Sequence, residues 1–185
     1  MVEDIIAESE SKMVGAVESL RRDLAAIRTG RASPALVERI TVDYYGTPTP
    51  LNQLSSIAVP EPRLIVIQPW EKQMVGAVEK AILKSELGLT PINDGRIIRI
   101  AIPQLTEERR KDLVKVVKRR VEEAKVAARN VRREGHEVLK DLEKEKLISQ
   151  DDERRAQERL QKLTDRFTEE IDRVGQAKEA EVLEV

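Results

Sequence analysis

Apolar residues recur every three or four positions over the two ends of the chain but not over its middle. In the first segment, the spacing from Met13 to Ile27 alternates between four and three residues, which predicts one amphipathic helix over about residues 2–29. Gly30 follows at the position where a glycine commonly ends a helix. The apolar positions of this segment are Ile6, Met13, Val17, Leu20, Leu24 and Ile27.

A much longer helix is predicted from Thr106 onward. Thr106 is a suitable N-cap, and the acidic Glu107 and Glu108 after it are favourable in a first helical turn. The three-four alternation then continues for about 40 residues, which corresponds to roughly 60 Å of helix. Its apolar stripe consists of Val114, Val117, Val121, Ala124, Ala128, Val131, Gly135, Val138 and Leu142.

A third helix is predicted after a turn at Leu147 and Ile148. Ser149, with Asp152 three residues later, resembles a capping box in which an aspartate replaces the usual glutamate. The stripe of this helix consists of Ala156, Leu160, Leu163, Phe167, Ile171 and Val174. Each of the three helices therefore has one apolar stripe, which it can bury only against another helix.

These stripes predict an elongated antiparallel three-helix bundle formed by residues 1–30 and 105–185. Because the stripes are rich in valine and alanine, the helices should approach one another closely. The alternative is that the three helices belong to an extended coiled coil with a partner.

The middle segment contains all eight prolines, which lie between Pro34 and Pro103. Because proline removes a backbone donor and clashes with the preceding turn, this segment cannot be one long helix. Alternation and turn residues predict strands over residues 40–45, 51–59, 64–67 and 96–102, a helix over 71–87 ended by Gly88, and a turn over 93–95. The predicted fold class is therefore α+β, with a small β-rich (β/α/β) domain, residues 31–104, inserted between helices of the bundle.

Two short connections join the inserted domain to the bundle, near residues 30–31 and 103–105. Their residues are Gly30, Arg31, Pro103, Gln104 and Leu105. Two connections at one end of a domain could form a hinge or, equally, a rigid corner.

Composition argues against enzymatic chemistry. Charged residues make up 36% of the chain and aromatic residues 2%, which suits long exposed helices better than a deep cofactor pocket. Cysteine is absent and His136 is the only histidine, so neither a cysteine nucleophile nor a zinc site is predicted, and His136 is expected to be solvated or packed. The consecutive acids Asp151, Asp152 and Glu153 resemble a set of metal ligands, but on a helix they point in different directions. They are instead expected to stabilise the first turn of the helix. Without a phosphate loop or a nucleophile elbow, we predict no catalytic residue, no metal and no cofactor.

The net charge is −1, from 33 basic and 34 acidic side chains, so nucleic-acid binding would require a local patch. No apolar run approaches the roughly 18 residues of a membrane span. The first residues, which include Glu3 and Asp4, lack the features of a signal peptide. We therefore expect a soluble cytoplasmic protein that does not bind membranes.

One local patch on the long helix meets this requirement. Residues 124–133 include four basic side chains and no acidic one: Lys125, Arg129, Arg132 and Arg133. At 100° per residue, the first three fall within about 60° of arc, away from the apolar stripe, and Lys118 joins them. Arginine binds phosphate bidentately, and the scarcity of aromatics favours phosphate contact over base stacking. The alternative is a solvated face whose charges are neutralised by acids of a neighbouring helix.

Several sequence blocks resemble those of the bacterial-type ribosome recycling factor family. RTGRASPAL at residues 28–36 is similar to the most distinctive motif of that family and lies at the predicted hinge. Similar blocks follow in the same order: DYYGTPTPL (43–51), LTEERRKDL (105–113), RNVRRE (129–134) and QKLTD (161–165). The resemblance covers essentially the whole chain. Departures are Glu86 and Thr90, where Asp and Asn are commoner, and Gly135.

The resemblance implies an L-shaped, non-enzymatic molecule whose three-helix stem binds RNA of the large ribosomal subunit. With elongation factor G and GTP hydrolysis by that partner, such a factor splits the post-termination complex and releases mRNA and tRNA. We expect a monomer. The alternative is a helical protein–protein interaction module that does not bind RNA.

The RNA-binding residues implied by the matching motifs lie on the long helix and near the predicted hinge. With Lys125 added from the basic patch, they are Arg110, Lys125, Arg129, Arg132, Arg133, Arg28 and Arg31.

Overall fold

The computed structural model describes residues 1–184, which form two compact units. The first unit comprises residues 1–24 and 111–183, and the second comprises residues 25–110 with Glu184. In chain order the elements are α1 (Val2–Ala25), β1 (Thr41–Tyr44), β2 (Thr47–Pro50), β3 (Ser55–Glu61), β4 (Leu64–Pro69), α2 (Val75–Lys84), β5 (Pro91–Asn93), β6 (Ile98–Ala101), α3 (Glu107–Lys144) and α4 (Gln150–Leu183). This arrangement confirms the predicted α+β class. No helix within residues 1–184 combines the length and apolarity needed to cross a membrane.

The first unit is built from α1, α3 and α4. Ion pairs of α1 with α4 join Glu3 to Arg159 and Glu10 to Arg166, so these two helices run parallel. Helix α3 runs antiparallel to both, because its C-terminal half lies beside the start of α1 and its Lys125 pairs with Asp172 near the end of α4. The buried side chains between the helices include Met13, Val17, Leu20, Val117, Ala128, Leu139, Leu160 and Ile171.

Both predicted helix starts are confirmed by capping bonds. The backbone N–H of Arg109 donates to Oγ1 of Thr106 over 3.1 Å, and the N–H of Asp152 donates to Oγ of Ser149 over 3.0 Å. Each hydroxyl thus satisfies one of the donors that a helix leaves free in its first turn.

The predicted end of the first helix was wrong. Helix α1 ends at Ala25, and Gly30 does not adopt the left-handed backbone conformation of a terminating glycine. Instead, the N–H of Arg31 donates to the hydroxyl of Thr29, a local side-chain bond that competes with helix formation. The Ser33-Pro34 pair further along also disfavours helical backbone.

The predicted stripe on α3 was wrong at both of its ends, because Leu113 is buried and the predicted Val114 only half-buried, and because Val138 is 46% exposed whereas Leu139 is fully buried. The buried residues repeat every eleven positions in two series, which are Leu113, Ala124, Gly135 and Val117, Ala128, Leu139. Eleven residues in three turns is about 3.67 per turn, close to a straight helix, whereas three-four alternation is a 3.5 period that drifts around the helix. The two patterns therefore coincide at Val117, Ala124, Ala128 and Gly135 and differ toward both ends of the helix.

Gly135 marks a close contact between helices. A Cβ at this position would lie 3.0 Å from Cδ2 of Leu160 on α4 and 3.1 Å from Oγ of Ser9 on α1. The absence of a side chain therefore lets α3 approach both neighbours at the same level.

The second unit contains a hairpin of β1 with β2 and a four-stranded antiparallel sheet in the order β3-β4-β6-β5. Pro60 lies in β3, an edge strand, where a missing backbone donor is tolerated. One face of the sheet, together with α2 and the hairpin, encloses a core. Its largest fully buried members are Val37, Val42, Leu51, Ile65, Ile67, Ile82, Ile98 and Ile100.

The predicted helix over 71–87 is shorter in the structure. Residues Lys72–Met74 form a 3-10 turn and α2 spans only Val75–Lys84. The helix ends where Ser85 turns extended, with its hydroxyl donating to the carbonyl of Ile82 over 2.6 Å. Gly88 does have a positive φ of 65°, but in the loop that follows.

Both connecting segments are attached to the same hairpin within the second unit. The N–H of Ala32 donates to the carbonyl of Pro62 over 2.7 Å, and the N–H of Ile102 donates to the carbonyl of Arg63 over 2.8 Å. Pro62 and Arg63 form the turn between β3 and β4. The chain is therefore hydrogen-bonded to the sheet from residue 32 at one connection and up to residue 102 at the other.

Candidate nucleic-acid interface

The basic stripe of α3, defined as Lys125, Arg129, Arg132 and Arg133, lies within the first unit. The buried positions of α3 centre on Val117, Ala128 and Gly135. At 100° per residue, the stripe begins about 60° to one side of them, toward α4. One face of α3 therefore packs against the other helices, and the adjoining face carries the cations. Those cations differ in whether an acidic side chain already pairs with them.

The side chains of Lys125 and Arg129 both form ion pairs with acidic residues. The ammonium of Lys125 pairs with Asp172 of α4, and its side chain is only 21% exposed. Arg129 pairs over 3.2 Å with Glu122, two turns earlier on its own helix, and remains 47% exposed. The predicted alternative, in which acids of a neighbouring helix neutralise the stripe, thus applies to Lys125, whereas Arg129 is paired within its own helix.

Arg132 and Arg133 are not paired with acids. Arg132 donates through one terminal nitrogen to Oε1 of Gln161 over 3.0 Å, and Gln161 in turn donates to Asp165 over 2.9 Å. The side chain of Arg133 is exposed and makes no hydrogen bond or ion pair within residues 1–184. A guanidinium has five N–H donors, so both side chains keep most of their capacity for a phosphate.

A groove of about 370 Å³ lies between α3 and α4 at these arginines. We call it the α3–α4 groove; its lining residues are Arg132, Arg133, His136, Gln157 and Gln161. Its size is at the small end of the range for ligand sites. No acidic side chain within residues 1–184 lines it, so an anion entering the groove meets two guanidinium groups and no carboxylate from this part of the chain.

His136, for which a solvated or packing role was expected, is exposed and lines this groove. Its Nδ1 lies 2.6 Å from Oε1 of Gln157 on α4. Sequence reasoning missed Gln157 and did not assign a role to Gln161. The QKLTD block contains Gln161, but neither glutamine could be placed beside α3 without knowing how α3 and α4 align.

The three other predicted RNA-binding residues belong to the second unit. Arg31 pairs with Glu184 over 3.1 Å, and Arg28 is half-buried in the bend after α1. Arg110 is half-buried in the first turn of α3, and its Nε has no hydrogen-bond partner within residues 1–184. The structure therefore gathers only part of the predicted set, Lys125, Arg129, Arg132 and Arg133, into one surface of one unit.

No group of three or more histidine, cysteine, aspartate or glutamate side chains within residues 1–184 is arranged to hold a metal ion. The conspicuous acids Asp151 and Asp152 lie in the first turn of α4, where Asp151 pairs with Arg154 over 3.3 Å.

Comparison with known proteins gives one consistent family. The sequence model described as "Ribosome recycling factor" matches residues 20–183. The ribosome-recycling factor of Roseiflexus sp. (strain RS-1) is 62% identical over 185 residues, and that of Syntrophomonas wolfei is 57% identical over 185 residues; each alignment covers 100% of both chains.

Two solved structures are similar over the whole chain. One, described as the solution structure of the ribosome recycling factor, has a TM-score of 0.81 at 49% identity and covers 100% of this chain and 98% of its own. The other presents models for the T. thermophilus ribosome recycling factor and the E. coli elongation factor G bound to the E. coli post-termination complex. It has a TM-score of 0.70 at 46% identity and covers 100% of both chains.

Proposed function

Because this chain belongs to the ribosome recycling factor family, we propose that it recycles ribosomes after termination by binding RNA of the large ribosomal subunit. With elongation factor G, which hydrolyses GTP, it splits the post-termination complex and releases mRNA and tRNA. In this proposal the chain acts in the cytoplasm as a monomer and performs no chemistry itself.

The observation that carries the RNA-binding part is the pair Arg132 and Arg133 at the α3–α4 groove. Both guanidinium groups lack a carboxylate partner, and the groove between them and α4 is lined by no acid. Phosphate is the ligand that such a surface binds best, since arginine stays charged and forms two parallel hydrogen bonds with it. Arg129 adds a third cation once Glu122 is displaced.

Salt dependence tests this part directly. We expect wild-type binding to isolated large ribosomal subunits to weaken steeply as salt rises, because each neutralised phosphate releases counterions. Arg132→Ala should bind more weakly and reduce the slope of log K against log salt by about one. Arg120→Ala is the matched control, since Arg120 lies on the same helix, pairs with Glu123 and is not part of the basic stripe.

A shallow salt dependence with Arg132→Ala equal to wild type would argue for the alternative, a helical module that binds protein. In that case the arginines of α3 would be a solvated face without a role in RNA contact.

The second part of the proposal is that the connections around residues 30–31 and 103–105 act as a hinge while the stem stays bound. Support comes from the backbone bonds of Ala32 and Ile102, which attach the chain to the second unit on its side of both connections. The stem would hold RNA while elongation factor G moves the second unit against contacts between the subunits.

The absence of cysteine makes a clean test of the hinge possible. Fluorophores on the double variant Lys84→Cys/Lys140→Cys report the distance between an exposed site in each unit. We expect a broad or multiple distance distribution for the free protein. A single narrow distribution, unchanged on the ribosome, would show that the connections form a rigid corner.

A further inference from the structure

Two glutamines of α4 determine how the α3–α4 groove presents its hydrogen-bonding groups. Nε2 of Gln157 donates to the backbone carbonyl of His136 over 3.2 Å and to a carboxylate oxygen of Glu153 over 3.0 Å. Both of its amide hydrogens are therefore used on groups that only accept. The opposite orientation of the amide would place its oxygen against those two acceptors, so the orientation is fixed.

This orientation also determines which ring nitrogen of neutral His136 carries the hydrogen. Oε1 of Gln157, which can only accept, lies 2.6 Å from Nδ1 of the ring, so Nδ1 must donate. In the neutral imidazole the other nitrogen is then an acceptor. His136 thus presents Nε2 as a hydrogen-bond acceptor in a groove whose other free groups are the donors of Arg132 and Arg133.

Gln161 orients Arg132 by a hydrogen bond, as Gln157 orients His136. Its Oε1 accepts from the guanidinium over 3.0 Å, and its own amide is held by Asp165 over 2.9 Å. One of the five donors of Arg132 is used in this way, and the remaining four are left for a ligand. The relay reduces the freedom of a long side chain before the ligand arrives, which lowers the entropic cost of binding.

A ligand that matches this pattern must bring an anion and, a few ångströms away, a hydrogen-bond donor. A ribonucleotide does so, because its 2′-hydroxyl is next to its own phosphate and is both donor and acceptor. The volume of about 370 Å³ suits one such unit and no more extended segment. The exocyclic amine of a base lies further from the backbone, and a deoxyribonucleotide offers no donor on the sugar.

We infer that the α3–α4 groove is a subsite for one ribonucleotide, whose phosphate binds Arg132 and Arg133 and whose 2′-hydroxyl donates to Nε2 of His136, with Gln157 and Gln161 as positioning residues. The inference rests on the proposed RNA binding and goes beyond it, since it assigns His136 and the two glutamines and makes the contact specific for ribose.

Two substitutions of His136 separate this role from a structural one. In His136→Asn the amide nitrogen replaces Nδ1, so the bond to Gln157 is kept and the acceptor in the groove is lost. In His136→Gln the terminal amide reaches the place of Nε2, so an acceptor is kept and the bond to Gln157 is lost. We expect His136→Asn to weaken binding to large subunits about three- to tenfold, as for the loss of one hydrogen bond, and His136→Gln to bind more tightly than His136→Asn. A purely structural role predicts the reverse order.

The positioning role of Gln157 is tested by a double-mutant cycle. Gln157→Leu alone should weaken binding, but on the His136→Asn background it should add little, because both changes act through the same nitrogen. Thermal unfolding of every variant checks that the helices remain packed. Additive losses would show that Gln157 does not act through His136.

The choice of the ribose hydroxyl is tested with an RNA hairpin and its fully 2′-fluoro counterpart, which keeps the same helical form but has no donor at this position. At low salt we expect the wild type to prefer the ribose form several-fold and His136→Asn to lose that preference. No preference in the wild type overturns the assignment of the hydroxyl. If Arg132→Ala weakens binding and neither His136 variant does, the subsite is wrong and RNA binding stands; if Arg132→Ala also has no effect, RNA binding by this face is itself wrong.

Discussion

Gly175 of α4 lies so close to Val121 of α3 that a Cβ on the glycine would overlap Cγ2 of the valine. Valine is branched at Cβ and has few rotamers on a helix, so its methyl group cannot easily move aside. The contact is therefore a point where the separation of α3 and α4 is set by the absence of a side chain. The same two helices form the walls of the α3–α4 groove.

Gly175→Ala should destabilise the protein even though alanine is the better helix former. Overpacking costs about 1–3 kcal/mol, and the gain in helix propensity returns only about 1 kcal/mol. Thermal or denaturant unfolding should thus show a net loss of up to about 2 kcal/mol, and adding Val121→Ala should recover part of it. Gly15→Ala is the control, since a Cβ on Gly15 of α1 meets no atom within 4 Å. Stabilisation by Gly175→Ala would show that the helices separate at little cost.

Glu122→Gln should strengthen RNA binding. It releases Arg129 from an exposed ion pair of 3.2 Å, which contributes little to stability, and leaves a third free cation on the basic stripe. Binding to large subunits should tighten, and the salt slope should steepen by about one. Glu123→Gln makes the same change of charge one residue away but frees Arg120, which is not part of the basic stripe. Equal effects of the two variants would mean that only net charge matters.

Asp94 should stabilise the second unit in a pH-dependent way. The backbone N–H groups of Ile97 and Arg96, followed by the guanidinium of Arg99, hold the pKa of this carboxyl below its ordinary value of 3.8. A lowered pKa in the folded state means that the stabilisation is present above pH 3.8 and is lost as pH falls through the folded pKa. Asp94→Ala should therefore lower Tm at pH 7, with a deficit that shrinks in acid.

Asp94→Asn separates charge from hydrogen bonding at this turn, because its oxygen can still accept the two backbone bonds. At pH 7 we expect Asp94→Asn to lower Tm by less than Asp94→Ala does. A deficit for alanine that stays constant from pH 7 to acid would contradict the linkage.

Lys178 should cost stability at neutral pH. Burial lowers the pKa of its ammonium below the ordinary value of 10.5, and the neighbouring Glu181 offsets this only in part. The charged form is thus disfavoured in the folded state, and the cost disappears once the pH exceeds 10.5, where the unfolded chain is also neutral. Lys178→Met should raise Tm at pH 7 and gain less as the pH approaches 10.5, whereas Lys162→Met at an exposed site of α4 should change little. A loss of stability at pH 7 would mean that the pair with Glu181 outweighs burial.

The elements that depend only on neighbours along the chain could be predicted from the amino-acid sequence. Helical periodicity, the caps at Thr106 and Ser149, and the confinement of proline to residues 34–103 are local properties, and they correctly predicted the starts of α3 and α4 and a β-rich middle segment. They did not predict the end of α1, the extent of α2 or strands β2 and β5. The placement of the basic stripe on one face of α3 also follows from local geometry, the rotation of 100° per residue in a helix. The family motifs then implied an RNA partner, which charge alone left open.

Burial, ion pairing and the groove contacts depend on distances between helices, so they could be read only from the tertiary structure. The burial of Leu139 in place of Val138 reflects a small difference in helical period that accumulates over many turns. Whether a cation is free depends on what packs beside it: Lys125 is paired with Asp172, whereas Arg133 has no acidic partner among the described residues. The groove joins His136 to Gln157 and Arg132 to Gln161, pairs separated by 21 and 29 residues. Such contacts come from the antiparallel packing of α3 and α4, which no local pattern encodes, because the register of two helices is set by how their side chains interdigitate.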